Sequence, residues 1–262
     1  MGGKDINNRM EMLEIQGLTK YFGGLAAIWD LNFEVRQQEI LGLIGPNGAG
    51  KTTLFNTITG FLRLDDGKIS FKGERIGGLR PDQIAKKGIV RTFQHSTLFE
   101  EGTALWNVMA GFHMHTKTGL WRALFNSDRY RREEDAFQSN AEGILEFMGL
   151  GEWKKVLVRN LPHGQKRGLG ICLALATKPE LLLLDEPATG LTEEERVILM
   201  ERIKALKEKG ISIILVEHNM QVVMGVCDRV VVMNFGRKIA EGAPEEIQEN
   251  EAVQEAYLGK GY

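Results

Sequence analysis

Little freedom is left to a chain in which an apolar run, Ile40-Leu41-Gly42-Leu43-Ile44, leads straight into Gly45, Pro46, Asn47, Gly48, Ala49, Gly50, Lys51, Thr52 and Thr53. The pattern is G-x-x-x-x-G-K-[S/T], and it stands where that pattern has meaning, after a buried strand and before a helix. Glycines let the backbone curl until successive N–H groups face inward at a phosphate, and the helix that follows adds its positive end. Lys51 then reaches the β- and γ-phosphates, while Thr52 offers a hydroxyl to Mg²⁺. The competing reading is a glycine-rich turn with a chance lysine. The apolar strand directly ahead argues against it.

Such a loop needs a second magnesium ligand on a neighbouring strand. Leu181-Leu-Leu-Leu-Asp185-Glu186 supplies it, because four leucines bury a strand and Asp185 emerges at its carboxyl end, where ligands of open α/β sheets collect. Glu186 follows, placed to polarise an attacking water; its bland alternative is an N-cap or surface carboxylate. Before the loop, Met12–Phe22 and Ala27–Val35 read as β-rich segments, and after it Gly67–Gly73 reads as a short strand between glycines. From about Ile84 to Lys178 the period turns helical, with Phe137, Ala141, Ile144, Leu145 and Met148 on one stripe and Ser127 and Asp128 as candidate caps. Beyond Asp185 a helix over Glu193–Lys209, an apolar strand before His218, a further helix and a strand pair over 228–242 follow. Apolar strands alternating with amphipathic helices predict an α/β fold: a P-loop NTPase with a mostly parallel sheet and helices on both faces.

Composition narrows the rest. The chain has 262 residues, 43% hydrophobic and 26% charged, with a formal net charge of −2. That balance excludes disorder and collagen-like structure and disfavours a protein built around nucleic-acid phosphate, so no nucleic-acid partner is expected. The two cysteines, Cys172 and Cys227, lack C-x-x-C spacing, which suits a reducing compartment. No signal peptide or myristoylation pattern is recognisable, and no apolar run approaches the ~18 residues of a membrane span, so a soluble, cytosolic chain is expected. His113 and His115 have no companion ligands for zinc, and His95 suggests no role.

Between the two phosphate-site motifs, Asn160-Leu161-Pro162-His163-Gly164-Gln165 resembles the signature segment of ATP-binding-cassette (ABC) ATPases. Gln94 resembles that family's Q-loop, His218 its switch histidine, and Ala188–Thr192 occupies its D-loop. Phe22 matches the aromatic that stacks on adenine, with Tyr21 as competitor. The resemblance covers about residues 12–259. It implies an ATP hydrolase with Glu186 and His218 catalytic, Mg²⁺ held by Thr52, Gln94 and Asp185, and Phe22 joining the phosphate loop around ATP. It also implies one nucleotide-binding domain over 1–262: an ATPase core with an antiparallel β subdomain at 12–93 and 160–243, an inserted α-helical subdomain at about 94–159, and a C-terminal helical tail at 244–262.

In this family two cassettes pack head to tail, so Leu161, Pro162, His163, Gly164 and Gln165 would face the partner's ATP. Two transmembrane permease subunits, and indirectly a substrate-binding protein, complete the implied assembly at the cytoplasmic face of the inner membrane. Val216–Met220, Asp228–Met233, Ile239–Gly242 and Ala256–Gly259 resemble the larger ATPase of branched-chain amino-acid importers. Closely similar ATPases serve urea, amide and aromatic-acid importers, and an exporter or lipid-extraction ATPase shares the same motifs. Two departures bear on the partner. Pro162 and His163 replace the usual serine and glycine of the signature, and Thr192 replaces an aspartate while forming a T-x-x-E capping box with Glu195. The first departure predicts pairing with a second, non-identical cassette.

Overall fold

The computed structural model describes residues 11–92, 98–112 and 128–258. Gln94, His95, His113, His115, Ser127 and Gly259 therefore lie outside the described residues. Strands β1 (Glu11–Phe22) and β2 (Leu25–Arg36) form a long hairpin turned by Gly23 and Gly24. Next come β3 (Ile40–Ile44), α1 (Lys51–Ile58), β4 (Asp66–Phe71), β5 (Glu74–Arg75), α2 (Pro81–Lys86) and β6 (Ile89–Arg91). Helices α3 (Ala104–Phe112), α4 (Asp128–Phe147) and α5 (His163–Ala176) lead to β7 (Leu181–Asp185). The chain continues through α6 (Glu193–Glu208), β8 (Ser212–Val216), α7 (Met220–Val226), β9 (Arg229–Asn234), β10 (Arg237–Gly242), α8 (Pro244–Glu249) and α9 (Glu251–Leu258).

These strands make two sheets. One is antiparallel, in the order β2-β1-β4-β5; the other runs β10-β9-β3-β8-β7-β6 and is parallel except at β10. The strands β3, β7 and β8 are buried at every position, as expected where both faces of a parallel sheet are covered. Alternation along them separates two cores. Ile40, Ile44, Leu182, Leu184, Ile213 and Leu215 face α3 to α7. Leu41, Leu43, Leu181, Leu183, Ile214 and Val216 face α1 and the antiparallel sheet. The expected α/β architecture is thus present, with the second face covered by α1, the Ile84 side chain of α2 and a sheet.

The helical stripe is as the sequence requires: Ala141, Leu145 and Met148 are buried and Phe137 and Ile144 half-buried, with Phe137 stacked on Phe112 of α3. One expectation needs correction. The sequence predicts helix from about Ile84 onward, yet Ile89–Arg91 is a strand pairing in parallel with β7. Three residues are too few for a periodic signal; the pairing itself makes the strand. Both cysteines are free and buried. Burial pushes both thiols up, that of Cys227 to about 12.

Candidate functional site

The phosphate loop is shaped by backbone that only glycine tolerates. Gly45 (φ 150°) and Gly50 (φ 102°) lie in the left-handed half of φ space. A Cβ on Gly45 would stand 2.1 Å from the Met233 carbonyl of β9, and one on Gly50 2.6 Å from that of Ala27. The loop is therefore wedged against β2 and β9, and α1 starts at Lys51. The Lys51 ammonium, 7% exposed, donates to the carbonyls of Gly45 (2.6 Å) and Pro46 (3.0 Å). Burial draws its pKa down from the usual lysine range, and Glu186 and Asp185 draw it back up.

Asp185 ends β7 in a buried ion pair. Its Oδ2 accepts from Arg91 at 2.7 Å, and the two side chains are 5% and 7% exposed. Arg91 also donates to Asn56 of α1 at 2.6 Å and packs over the Phe55 ring. Glu186 follows with φ 48°, an uncommon conformation for a residue with a side chain and one that gathers at functional sites. Two bonds hold it there: its N–H donates to the Val216 carbonyl at 2.9 Å, and its carbonyl accepts from Arg167 of α5 at 2.6 Å. Its Oε1 lies 2.7 Å from Nε2 of His218, so the ends of β7 and β8 join the two residues.

A cavity of about 550 Å³ unites Asn47, Gly48, Ala49, Gly50, Lys51, Thr52, Thr53, Glu186 and His218. Its volume suits a nucleotide-sized ligand. Gly45 and Pro46 contribute through the carbonyls that hold Lys51. Phe22 is 49% exposed and is not among the lining side chains; it pairs across the hairpin with Leu25, which is. Tyr21 instead meets Trp29 edge-on, at 6.0 Å between ring centres.

Sequence reasoning missed Trp29, Phe235 and Arg237, which also line the cavity. Arg237 lies over the Trp29 ring, and Phe235 is 84% exposed with φ 45°. An aromatic in an N-x-G turn, where Asn or Gly is favoured, is the signal that could have exposed Phe235.

The segment Leu161–Gln165 does not line this cavity. Leu161 is buried and Pro162 and His163 are exposed, with Pro162 at the N-cap of α5 and no side-chain cap bond. A side chain at Gly164 would come within 2.7 Å of Glu195 Oε1. The T-x-x-E box is formed: Glu195 N–H donates to Thr192 Oγ1 at 3.2 Å, and Thr192 N–H to Glu195 Oε2 at 2.9 Å.

The residues present fit a magnesium nucleotide. The Lys51 cation and Thr52 line the cavity, and the Asp185 carboxylate lies close enough to act on that cation. Among the described residues no three His, Cys, Asp or Glu side chains gather as a metal site. Mg²⁺ takes one or two protein ligands beside phosphate and water, a set that Thr52 and Asp185 could supply.

Comparison with known proteins bears on the same residues. The family described as "ABC transporter" matches residues 28–189, and "Branched-chain amino acid ATP-binding cassette transporter" matches residues 237–262. The high-affinity branched-chain amino acid transport ATP-binding protein LivG of Salmonella typhimurium is 43% identical over 95% of this chain and 98% of its own. BraF of Pseudomonas aeruginosa, of the same description, is 42% identical over the same shares. A crystal structure titled as the ADP conformation of an ATP-binding cassette of an ABC transporter superposes with a TM-score of 0.83. It is 32% identical over 96% of this chain and 100% of that one.

Proposed function

Since this chain belongs to the ABC transporter ATPases, we propose that it hydrolyses Mg²⁺-bound ATP to drive uptake of branched-chain or related amino acids. The observation that carries the reading is the convergence of Lys51, Glu186 and His218 at one cavity, with Glu186 and His218 2.7 Å apart and the Asp185 carboxylate acting on Lys51. Lys51 and the N–H groups of Gly48 and Gly50 bind the phosphates, and Thr52 and Asp185 hold the metal with Gln94. The metal would offset charge on the β- and γ-phosphates. Glu186 orients water and accepts its proton, and His218 fixes Glu186 and contacts the γ-phosphate. The base would lie against Leu25, Trp29 and Phe235, which line the cavity where Phe22 does not.

The signature residues Leu161–Gln165 lie outside the cavity, which supports their serving the ATP of a second cassette; the missing donors at Pro162 favour a non-identical one. No helix of the described residues is long and apolar enough to cross a membrane. Attachment to the cytoplasmic face would come through two permeases. An apolar groove of about 290 Å³, with Phe61, Ile84, Val90 and Leu173 in its wall, lies beside β6 and would suit a permease segment.

The match of residues 237–262 and the printed descriptions of LivG and BraF support the substrate class. The test is purification with the attached permeases, reconstitution, and uptake of labelled leucine, isoleucine and valine. ATP-dependent accumulation that Lys51→Ala abolishes is expected. Turnover accompanied by accumulation of urea, amides or aromatic acids instead would overturn the substrate, and outward transport would overturn the direction.

A further inference from the structure

The carboxyl group of Glu217 is 2% exposed, although it precedes a histidine that lines the cavity. Successive residues at a strand end point to opposite sides, so His218 faces the ligand while Glu217 turns inward. There its two oxygens bridge two loops. Oε1 accepts the Ala188 N–H at 2.8 Å, and Oε2 accepts the N–H of His218 at 3.1 Å and of Asn219 at 3.5 Å. Ala188 begins the segment Ala188–Thr192, which runs from Glu186 to the start of α6. Asn219 caps α7 through its side chain.

A side chain that only filled this space would be apolar, since burying a carboxyl group is costly unless its oxygens are satisfied. A glutamine would satisfy one side only, because its amide nitrogen donates and cannot accept from a backbone N–H. Two acceptor oxygens facing two loops are what the position requires.

We propose that Glu217 is a positioning residue that locks the Ala188–Thr192 loop to the His218 loop. Movement of the Ala188–Thr192 loop then displaces His218 relative to Glu186. This rests on the ATPase reading above for its effect on turnover, but not for the link itself.

The experiment uses the full chain and compares Glu217→Gln, His218→Ala and the double variant. Amide exchange at single-residue resolution reads the link without turnover. The Ala188 or the His218 amide, whichever faces the glutamine nitrogen, should exchange at least about tenfold faster in Glu217→Gln. MgATP affinity should stay within about threefold of the parent while kcat falls about tenfold or more at unchanged KM. The double variant should fall no further than His218→Ala, since the two act through one contact. Unchanged exchange at both amides, or losses that multiply in the double variant, would overturn the proposal. Glu217→Thr, which cannot span to Ala188, gives the same exchange comparison if the glutamine variant unfolds. A parent chain with no turnover would instead sink the ATPase reading, and the exchange result would still decide the link.

Discussion

At the scale of single residues, charge and position divide binding from chemistry. Lys51 is a buried cation whose partners are two loop carbonyls. Lys51→Ala should abolish ATP binding, because phosphate charge would then lie uncompensated in a site built around that ammonium. The unliganded fold should not lose stability, since a desolvated charge is removed. Nucleotide titration beside thermal unfolding without ligand checks both halves. Glu186→Gln keeps Lys51, Thr52 and Asp185, so Mg²⁺ and ATP should stay bound while turnover falls at least ~10²-fold. Single-turnover kinetics on the bound complex measures it, and full activity would place the catalytic carboxylate elsewhere.

At the scale of elements, helix starts and strand ends hold these groups in place. The Thr192–Glu195 box closes the N-terminus of α6. Thr192→Ala should cost about 1 kcal/mol by losing the cap, read as a lower urea midpoint with unchanged slope. Strand β6 contributes more than its length suggests, because Arg91 crosses from it to Asp185 on β7 and Asn56 on α1. Arg91→Ala leaves a buried carboxylate without that partner and should destabilise by about 3–5 kcal/mol. Urea unfolding of the chain without nucleotide tests this; a loss below that of Thr192→Ala would mean that Asp185 finds compensation locally.

At the scale of the whole molecule, the sheet places the phosphate-loop cavity at the carboxyl ends of β7 and β8 and leaves the signature segment outside it. Pro162 has neither hydroxyl nor N–H to offer a partner's γ-phosphate. Each charge-assisted bond so lost weakens closure by roughly 1.5–3 kcal/mol. A homodimer would carry that loss at both sites, and a pair with a standard cassette at one. In such a pair the site built on this chain's phosphate loop should turn over faster. Replacing each catalytic glutamate by glutamine in the reconstituted assembly checks it: Glu186→Gln should be the more damaging change, and equal losses would refute the asymmetry.

Contiguous residues determined the phosphate loop, the Leu181–Asp185 strand, Glu186, the α4 stripe and the Thr192 cap. Each depends on backbone conformation or periodicity within a short span, so local sequence is sufficient. The second wall of the cavity was decided only by the tertiary structure. So were the strand β6, the Arg91–Asp185 pair across 94 positions and the Glu217–Ala188 bond across 29. A buried polar group must find a partner wherever the fold brings one, and residues distant in sequence carry no local mark of which partner that will be.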